Sequence, residues 1–250
     1  MISIEEGSRI VREARLFGAT LAGLTSVEAL KESPSYRKYH QSPYYDGYHG
    51  VTWPAEAKSV LVLALAHPEE EPGLDWWSEQ IPGRTLGNRI LMRLSRQIKE
   101  WLGSEMAIES TPLAYSIEEG GVFLKDAAVL AGLGVIGRHN LFISPQYGSR
   151  VRLRGLLLDK GYEAPDLAIP SPCAQCAAPC HAACPEQAFQ AGYYEIERCE
   201  PEMQRNRASV VTVDGSLVGL EEPCSVEQFC RACELACPVG KNEHPTLWPG

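Results

Sequence analysis

Apolar residues recur at helical spacing from Ile4 to Phe17, then give way to a continuous apolar run, Ser59-Val-Leu-Val-Leu-Ala-Leu-Ala66, that ends at His67-Pro68. The first pattern predicts a helix, and the second a strand buried on both faces. Between Leu86 and Leu102, the residues Leu86, Ile90, Leu91, Leu94, Ile98, Trp101 and Leu102 trace one helical face. Arg89, Arg93, Arg96 and Lys99 lie mostly off that face, which predicts a long amphipathic helix. Ala19–Leu24, Met106–Thr111 and Val151–Leu158 read as further strands, Phe123–Leu130 as a helix, and Leu141–Ile143 as extended chain. Helices and strands alternate irregularly, so the predicted fold class is α/β or α+β.

The 250 residues are 44% hydrophobic and 22% charged. That is enough apolar surface to offset the entropy of ordering, which excludes a disordered chain. The net charge is −9, a poor start for gripping a phosphate backbone, so nucleic acid is not an expected partner. No run approaches the ~18 apolar residues of a membrane-spanning helix. The acidic start Met1-Ile2-Ser3-Ile4-Glu5-Glu6 lacks the basic and apolar regions of a secretory signal. The expectations are no membrane association and a cytoplasmic location.

Composition shifts sharply once. Residues 1–172 hold no cysteine, and all nine lie between Cys173 and Cys237. The proline- and turn-rich segment Gly161–Pro172 reads as a connection. The expected organisation is therefore an α/β domain over residues 1–165 and a cysteine-loaded domain over 166–250. In a reducing compartment such cysteines are metal ligands more often than disulfides.

Their spacing is Cys173-x2-Cys176-x3-Cys180-x3-Cys184-Pro185, then Cys230-x2-Cys233-x3-Cys237-Pro238. The bacterial ferredoxin run is C-x2-C-x2-C-x3-C-P, whose fourth cysteine ligates the other cluster. A tight loop wraps three corners of a cubane, and the chain then leads one thiolate to the neighbouring cube. Two C-P tails predict two [4Fe–4S] clusters and a ferredoxin-like domain. Zinc would use the C-x2-C pairs but leave both tails unexplained. By ferredoxin logic Cys173, Cys176, Cys180 and Cys237 hold one cluster, while Cys184, Cys230 and Cys233 hold three corners of the other. The position three residues before Cys230 is Glu227, so the last ligand is Cys199 or Cys224. The first run also carries one residue more than usual, at Ala177-Ala178-Pro179.

Gly132-Leu133-Gly134-Val135-Ile136-Gly137 matches the dinucleotide fingerprint G-x-G-x-x-G. That fingerprint needs a strand before it and a helix after it, and here the predicted order is reversed. The remaining readings are a turn that lets backbone pack closely and one that meets a flat ligand. The aromatic segment Tyr36, Tyr39, Tyr44, Tyr45, Tyr48 and Trp53 carries only Arg37 and Lys38 among its rings. It is too weakly basic for a single-strand nucleic-acid platform and reads as a self-packed loop or a lid. The six histidines are scattered, and His181 reads as a bystander among the cysteines.

Ala131-Gly-Leu-Gly-Val-Ile-Gly137, Asn140-Leu-Phe-Ile143, Tyr147-Gly-Ser149 and Leu156–Asp159, followed by two C-P cysteine runs, occur in this order. Together they resemble epoxyqueuosine reductase, within a wider group that includes the reductive dehalogenases. The resemblance covers roughly residues 50–240. It implies a cobalamin-binding α/β domain joined to a two-cluster ferredoxin-like domain, with electrons passing through the clusters to cobalt. It implies Cys199 as the last cluster ligand, and Gly132, Gly134, Gly137, Asn140, Tyr147, Gly148 and Ser149 as the cobalamin-side residues. No D-x-H-x-x-G occurs, so the implied corrinoid is base-off without a histidine ligand. On this reading Gly134→Val weakens corrinoid binding and leaves the clusters, because residue 134 lies outside the cysteine domain.

The family carries an acidic residue in a D-[ST]-x-P segment, matched here by Glu109-Ser110-Thr111-Pro112. Glu109, Tyr115 and Lys125 are the candidate proton donors, provided burial or neighbours tune them. The helical-repeat segment that some members use against tRNA has no counterpart, so a small-molecule or corrinoid-protein substrate is expected. The implied function is an iron–sulfur oxidoreductase fed by a low-potential ferredoxin or flavodoxin. The alternative is an electron-transfer protein that activates a separate corrinoid protein.

Overall fold

The computed structural model describes residues 1–41, 51, 53–114, 117–119, 121–163, 165 and 169–241, without the side chains of 39–41 and 118. They form two compact units, each discontinuous in sequence. The first comprises Met1–Leu65, Leu91–Leu133 and Leu153–Ile169, and the second Ala66–Ile90, Gly134–Arg152 and Pro170–Gly250. Compared with the expected division at 165/166, two stretches of the N-terminal half have joined the cysteine-bearing unit. Among the described residues no helix is long and apolar enough to cross a membrane.

The first unit is built on a mixed α/β pattern. Helix α1 (Ile4–Leu16) starts at a capping box in which Ser3 and Glu6 bond each other's backbone N–H, and it buries Ile10 and Ala14. Strand β1 (Leu21–Ser26) leads into α2 (Val27–Lys31), which the Ser26 hydroxyl caps, and α3 (Pro34–Gln41) follows. Strand β2 (Ser59–Ala66) is buried along nearly its whole length, as its unbroken apolar run requires. Helix α4 (Leu86–Met106) turns Leu91, Leu94, Ile98 and Leu102 inward and leaves Arg93, Arg96 and Lys99 exposed.

The strand expected over Met106–Thr111 is shorter, because α4 continues to Met106 and β3 spans only Ser110–Pro112. Ala107 takes φ 49°, and Ile108 N–H bonds Leu102 O at 3.1 Å, so the helix ends in a left-handed cap made by alanine. Helix α5 (Leu124–Leu130) precedes β4 (Val135–Ile136) and β5 (Phe142–Ile143), and β6 spans Val151–Leu158. The main sheet runs β1-β2-β6-β3. β1 is antiparallel to β2, with Leu21 opposite Ala64, and β3 is antiparallel to β6, with Ser110 opposite Leu158.

The second unit has little regular sheet. β4 and β5 form a hairpin that pairs Val135 with Ile143. β7 (Val211–Val213) pairs antiparallel with β8 (Cys224–Val226). Short helices α6 (Pro179–Ala182) and α8 (Ala232–Leu235) pack on each other, and α7 (Ile196–Ala208) lies between them in sequence. Each short helix carries one cysteine, Cys180 or Cys233, and a Cys-Pro pair follows it. The extra residue in the first cysteine run is absorbed at Ala178, which takes φ 56° just before Pro179 opens α6.

Candidate functional site: two groups of four thiols

Eight of the nine cysteines gather into two groups within the second unit. Cys173, Cys176, Cys180 and Cys237 line one recess together with His139, Ile143 and Val239. Burial, then the charges of Cys237, Cys173 and Cys176, push the Cys180 thiol up to about 11. Burial raises Cys237 too, against the Val239 N–H, the Ser149 hydroxyl and the Arg150 charge, which all favour its thiolate.

The other group is Cys184, Cys199, Cys230 and Cys233. Cys233 is pushed up to about 12 by burial and by the charges of Cys230, Cys184 and Cys199. Cys230 is raised by burial, by Glu202, and by Cys199 and Cys184. Thiols that burden one another in a partly buried site release protons readily only to a cation, which favours the thiolate. A single zinc would draw its thiolates to within about 4 Å of each other, given Zn–S near 2.3 Å. No three described His, Cys, Asp or Glu side chains are placed to hold one such ion. The corners of a cubane are farther apart, and two groups of four thiols fit that donor set.

Cys224, the ninth, stands elsewhere. It is fully buried at the start of β8, its Sγ lies 3.4 Å from Ser78 Oγ, and it packs with Ile81, Val218 and Val226. Cys199 rides on α7, and the Tyr194 phenol bonds it; burial and that bond raise the phenol's pKa. α7 also positions the second cysteine loop, because Asn206 Oδ1 accepts the Cys230 N–H at 2.6 Å.

Residues outside the motifs brace both loops, and the sequence reading missed them. Arg138 donates to Cys176 O at 3.1 Å. Arg231, between the cysteines of the second C-x2-C, bonds Asp75 Oδ2 at 2.8 Å, Glu234 Oε1 at 2.5 Å and His67 O at 3.2 Å. Asp75 also meets His67 Nδ1 at 2.7 Å and the Arg152 guanidinium. Burial alone would raise Asp75, but the bonds from His67 and Arg152 hold its carboxyl down to about 2. Such partners come from distant sequence, and only a charged residue buried beside an apolar run could have hinted at them. His181 stacks on Phe189 at 4.6 Å.

The glycine turn packs closely on its neighbours. Gly132, at φ 70°, bonds Val129 O through its N–H, and Leu133 N–H bonds Ala128 O, which together close α5 in a Schellman cap. The turn therefore ends a helix, the reverse of a dinucleotide site. A Cβ on Gly134 would lie 2.0 Å from Ile143 O, and one on Gly137 would lie 2.4 Å from the Ile143 side chain. Ile143 packs with Cys237, Val239 and Cys173. Gly134 thus belongs to the cysteine-bearing unit, contrary to the premise that placed it outside. Gly148, at φ 58°, faces Val239 O, Tyr147 N–H bonds Ser144 Oγ, and Ser149 Oγ lies 3.3 Å from Glu234 O. Asn140 takes φ 60° in the turn of the β4–β5 hairpin.

Of the candidate proton donors, Glu109 and Lys125 lie in the first unit. Glu109 is exposed, and its N–H bonds Asp159 Oδ1 at 3.0 Å. It borders a 420 Å³ pocket with Lys99, Ser110, Thr111 and Asp159, and Lys125 is not among the lining residues. Lys125 lies on α5, where burial lowers its pKa against the pull of Asp126. Tyr115 lies outside the described residues, as do Tyr44, Tyr45 and Tyr48. Tyr36 packs 6.2 Å from Trp53 of the same segment and 6.4 Å from Phe123 outside it.

No family model matches the chain. An epoxyqueuosine reductase of Aliivibrio fischeri is 28% identical over 168 residues, covering 64% of this chain and 42% of the relative. One of Lactococcus garvieae is 26% identical over 204 residues, covering 78% and 56%. The chain spans about half the length of the curated relatives it matches. Among solved structures, an epoxyqueuosine reductase bound to a modified tRNA-Tyr stem loop superposes with TM-score 0.64 at 20% identity, covering 97% of this chain and 68% of that one. A catabolic reductive dehalogenase superposes with TM-score 0.58 at 15% identity, covering 92% and 31%. The tRNA stem loop belongs to that neighbour; for this chain, a net charge of −9 averages over the whole surface and does not report a local binding groove. In sequence the chain is similar to the epoxyqueuosine reductases, and it shares its mixed α/β fold with them and with the reductive dehalogenases.

Proposed function

We propose that this chain is an iron–sulfur oxidoreductase of the epoxyqueuosine reductase kind. Cys173, Cys176, Cys180 and Cys237 would hold one [4Fe–4S] cluster, and Cys184, Cys199, Cys230 and Cys233 the other. The observation that carries this reading is the sorting of the thiols. Each group takes its last corner from across the pair of runs, Cys237 for the first and Cys184 for the second. When bound, the clusters supply single electrons at low potential, and a base-off cobalamin supplies a strongly reducing cobalt. The protein's own work is to shield the thiols in part, brace their loops through Arg138 and Arg231, and carry a proton source on α5. Lys125 suits that last role, since burial already eases its proton loss. A low-potential ferredoxin or flavodoxin is the proposed donor, and an electrophile such as the relatives' epoxide is the proposed substrate class.

The test is anaerobic purification followed by metal and sulfide analysis. About eight iron and eight sulfide per chain are expected from two cubanes; stoichiometric zinc with little iron ends the reading. Titration of cob(II)alamin followed by electron paramagnetic resonance then tests the corrinoid. Loss of the nitrogen hyperfine coupling supports base-off binding, and an unchanged base-on spectrum rejects it. An epoxyqueuosine-modified stem loop is the first substrate to offer.

A further inference from the structure

Arg150 is 7% exposed, and its guanidinium donates to Val239 O at 2.8 Å and to Cys237 O at 3.4 Å. These carbonyls satisfy hydrogen bonds and leave its charge uncompensated. Among the described residues no carboxylate pairs with it, whereas Arg152 and Arg231 nearby in the same unit both pair with Asp75. An isolated buried cation is costly unless an opposite charge stands close. The group it lies against is the Cys173, Cys176, Cys180 and Cys237 recess, which Cys237 and Val239 both line. Four thiolates outweigh the core charge of a cubane, so the assembled cluster is an anion that gains further charge on reduction.

We infer that Arg150 is the countercharge of the cluster at Cys173, Cys176, Cys180 and Cys237, and that it raises that cluster's reduction potential. This rests on the cluster reading above. A fixed positive charge stabilises the reduced cluster more than the oxidised one, because the reduced form is the more negative. Arg150 is a positioning residue: it touches the loop that carries Cys237 and acts on the cluster through its charge. The Tyr147-Gly-Ser-Arg150 block accordingly serves the cluster side of the molecule.

The test is a redox titration of the anaerobic holoprotein, watched by electron paramagnetic resonance, for wild type, Arg150→Gln and Arg150→Lys. The signal that persists in Cys199→Ala identifies the cluster in question. Gln keeps an N–H donor and drops the charge; Lys keeps the charge and drops the planar fork. In Arg150→Gln the reduction equilibrium of that cluster should weaken by about tenfold, which for one electron is about 59 mV. Arg150→Lys should stay near wild type, and the other cluster should not move. If Gln loads only one cluster while Lys loads both, the charge requirement is upheld. Equal midpoints in wild type and Gln, equal shifts in both variants, or loss of the cluster in both would overturn it. A wild-type protein without iron would instead sink the cluster reading itself, before any variant is compared.

Discussion

Cys199 and Cys224 both lie between the two cysteine runs, and composition could not separate them. Their surroundings do. Cys199 shares its charge with Cys230 and Cys233, whereas Cys224 is a small core residue beside Val226 and Ile81. Cys199→Ala should lower bound iron from about eight to about four atoms per chain. Cys224→Ala should keep both clusters and cost about 1 kcal/mol in chemical unfolding, since a buried sulfur leaves a small cavity. Equal iron loss in the two variants would contradict this separation. Asp75 makes a second residue-scale prediction. Its folded pKa is depressed from 3.8 to about 2, so its stabilisation is present above the unfolded value and is lost as pH falls from about 4 toward 2. The size is about 2 kcal/mol. Asp75→Asn should unfold more easily at pH 7, and its deficit against wild type should close over that acid window. A deficit independent of pH would mean that the carboxylate charge is not what holds Arg231 and Arg152.

At the scale of elements, the end of α4 and the glycine turn each carry a testable consequence. α4 runs past the Leu86–Leu102 face to Met106 and stops at Ala107 in the left-handed region. Ala107→Gly should therefore stabilise the protein by about 0.5–1 kcal/mol, read as a higher denaturant midpoint, because glycine takes positive φ without a Cβ clash. Gly134 faces the Ile143 carbonyl, and Ile143 packs on Cys237 and Cys173. Gly134→Val should thus reduce the iron held at that recess along with any effect on a corrinoid. Full cluster content in this variant would return the turn to the ligand-facing role.

For the whole molecule, the two units are interleaved along the chain. The cysteine-bearing unit takes Asp75 from Ala66–Ile90, and Arg138, Ile143 and Arg150 from Gly134–Arg152. Residues 166–250 expressed alone should consequently hold fewer than the full chain's complement of clusters. Iron analysis of that fragment beside the intact protein checks it, and an equal complement would show that the braces from the N-terminal half are dispensable.

The periodic apolar faces were legible from sequence because burial leaves a repeat that needs no partner to be identified: α1, β2, α4 and β6 lie where the pattern puts them. The two cysteine runs were equally legible, since wrapping a cubane constrains spacing within a single loop. Charge pairing and close backbone contact follow no such local rule. Arg150 looks like any surface arginine until Val239 closes over it, and the sequence around Gly134 does not tell that its backbone lies against Ile143. Which thiols stand together, which glycine meets backbone and which cation has no carboxylate partner among the described residues depend on segments distant in sequence. Tertiary packing decides these placements, because electrostatic and steric terms act through space and not along the chain.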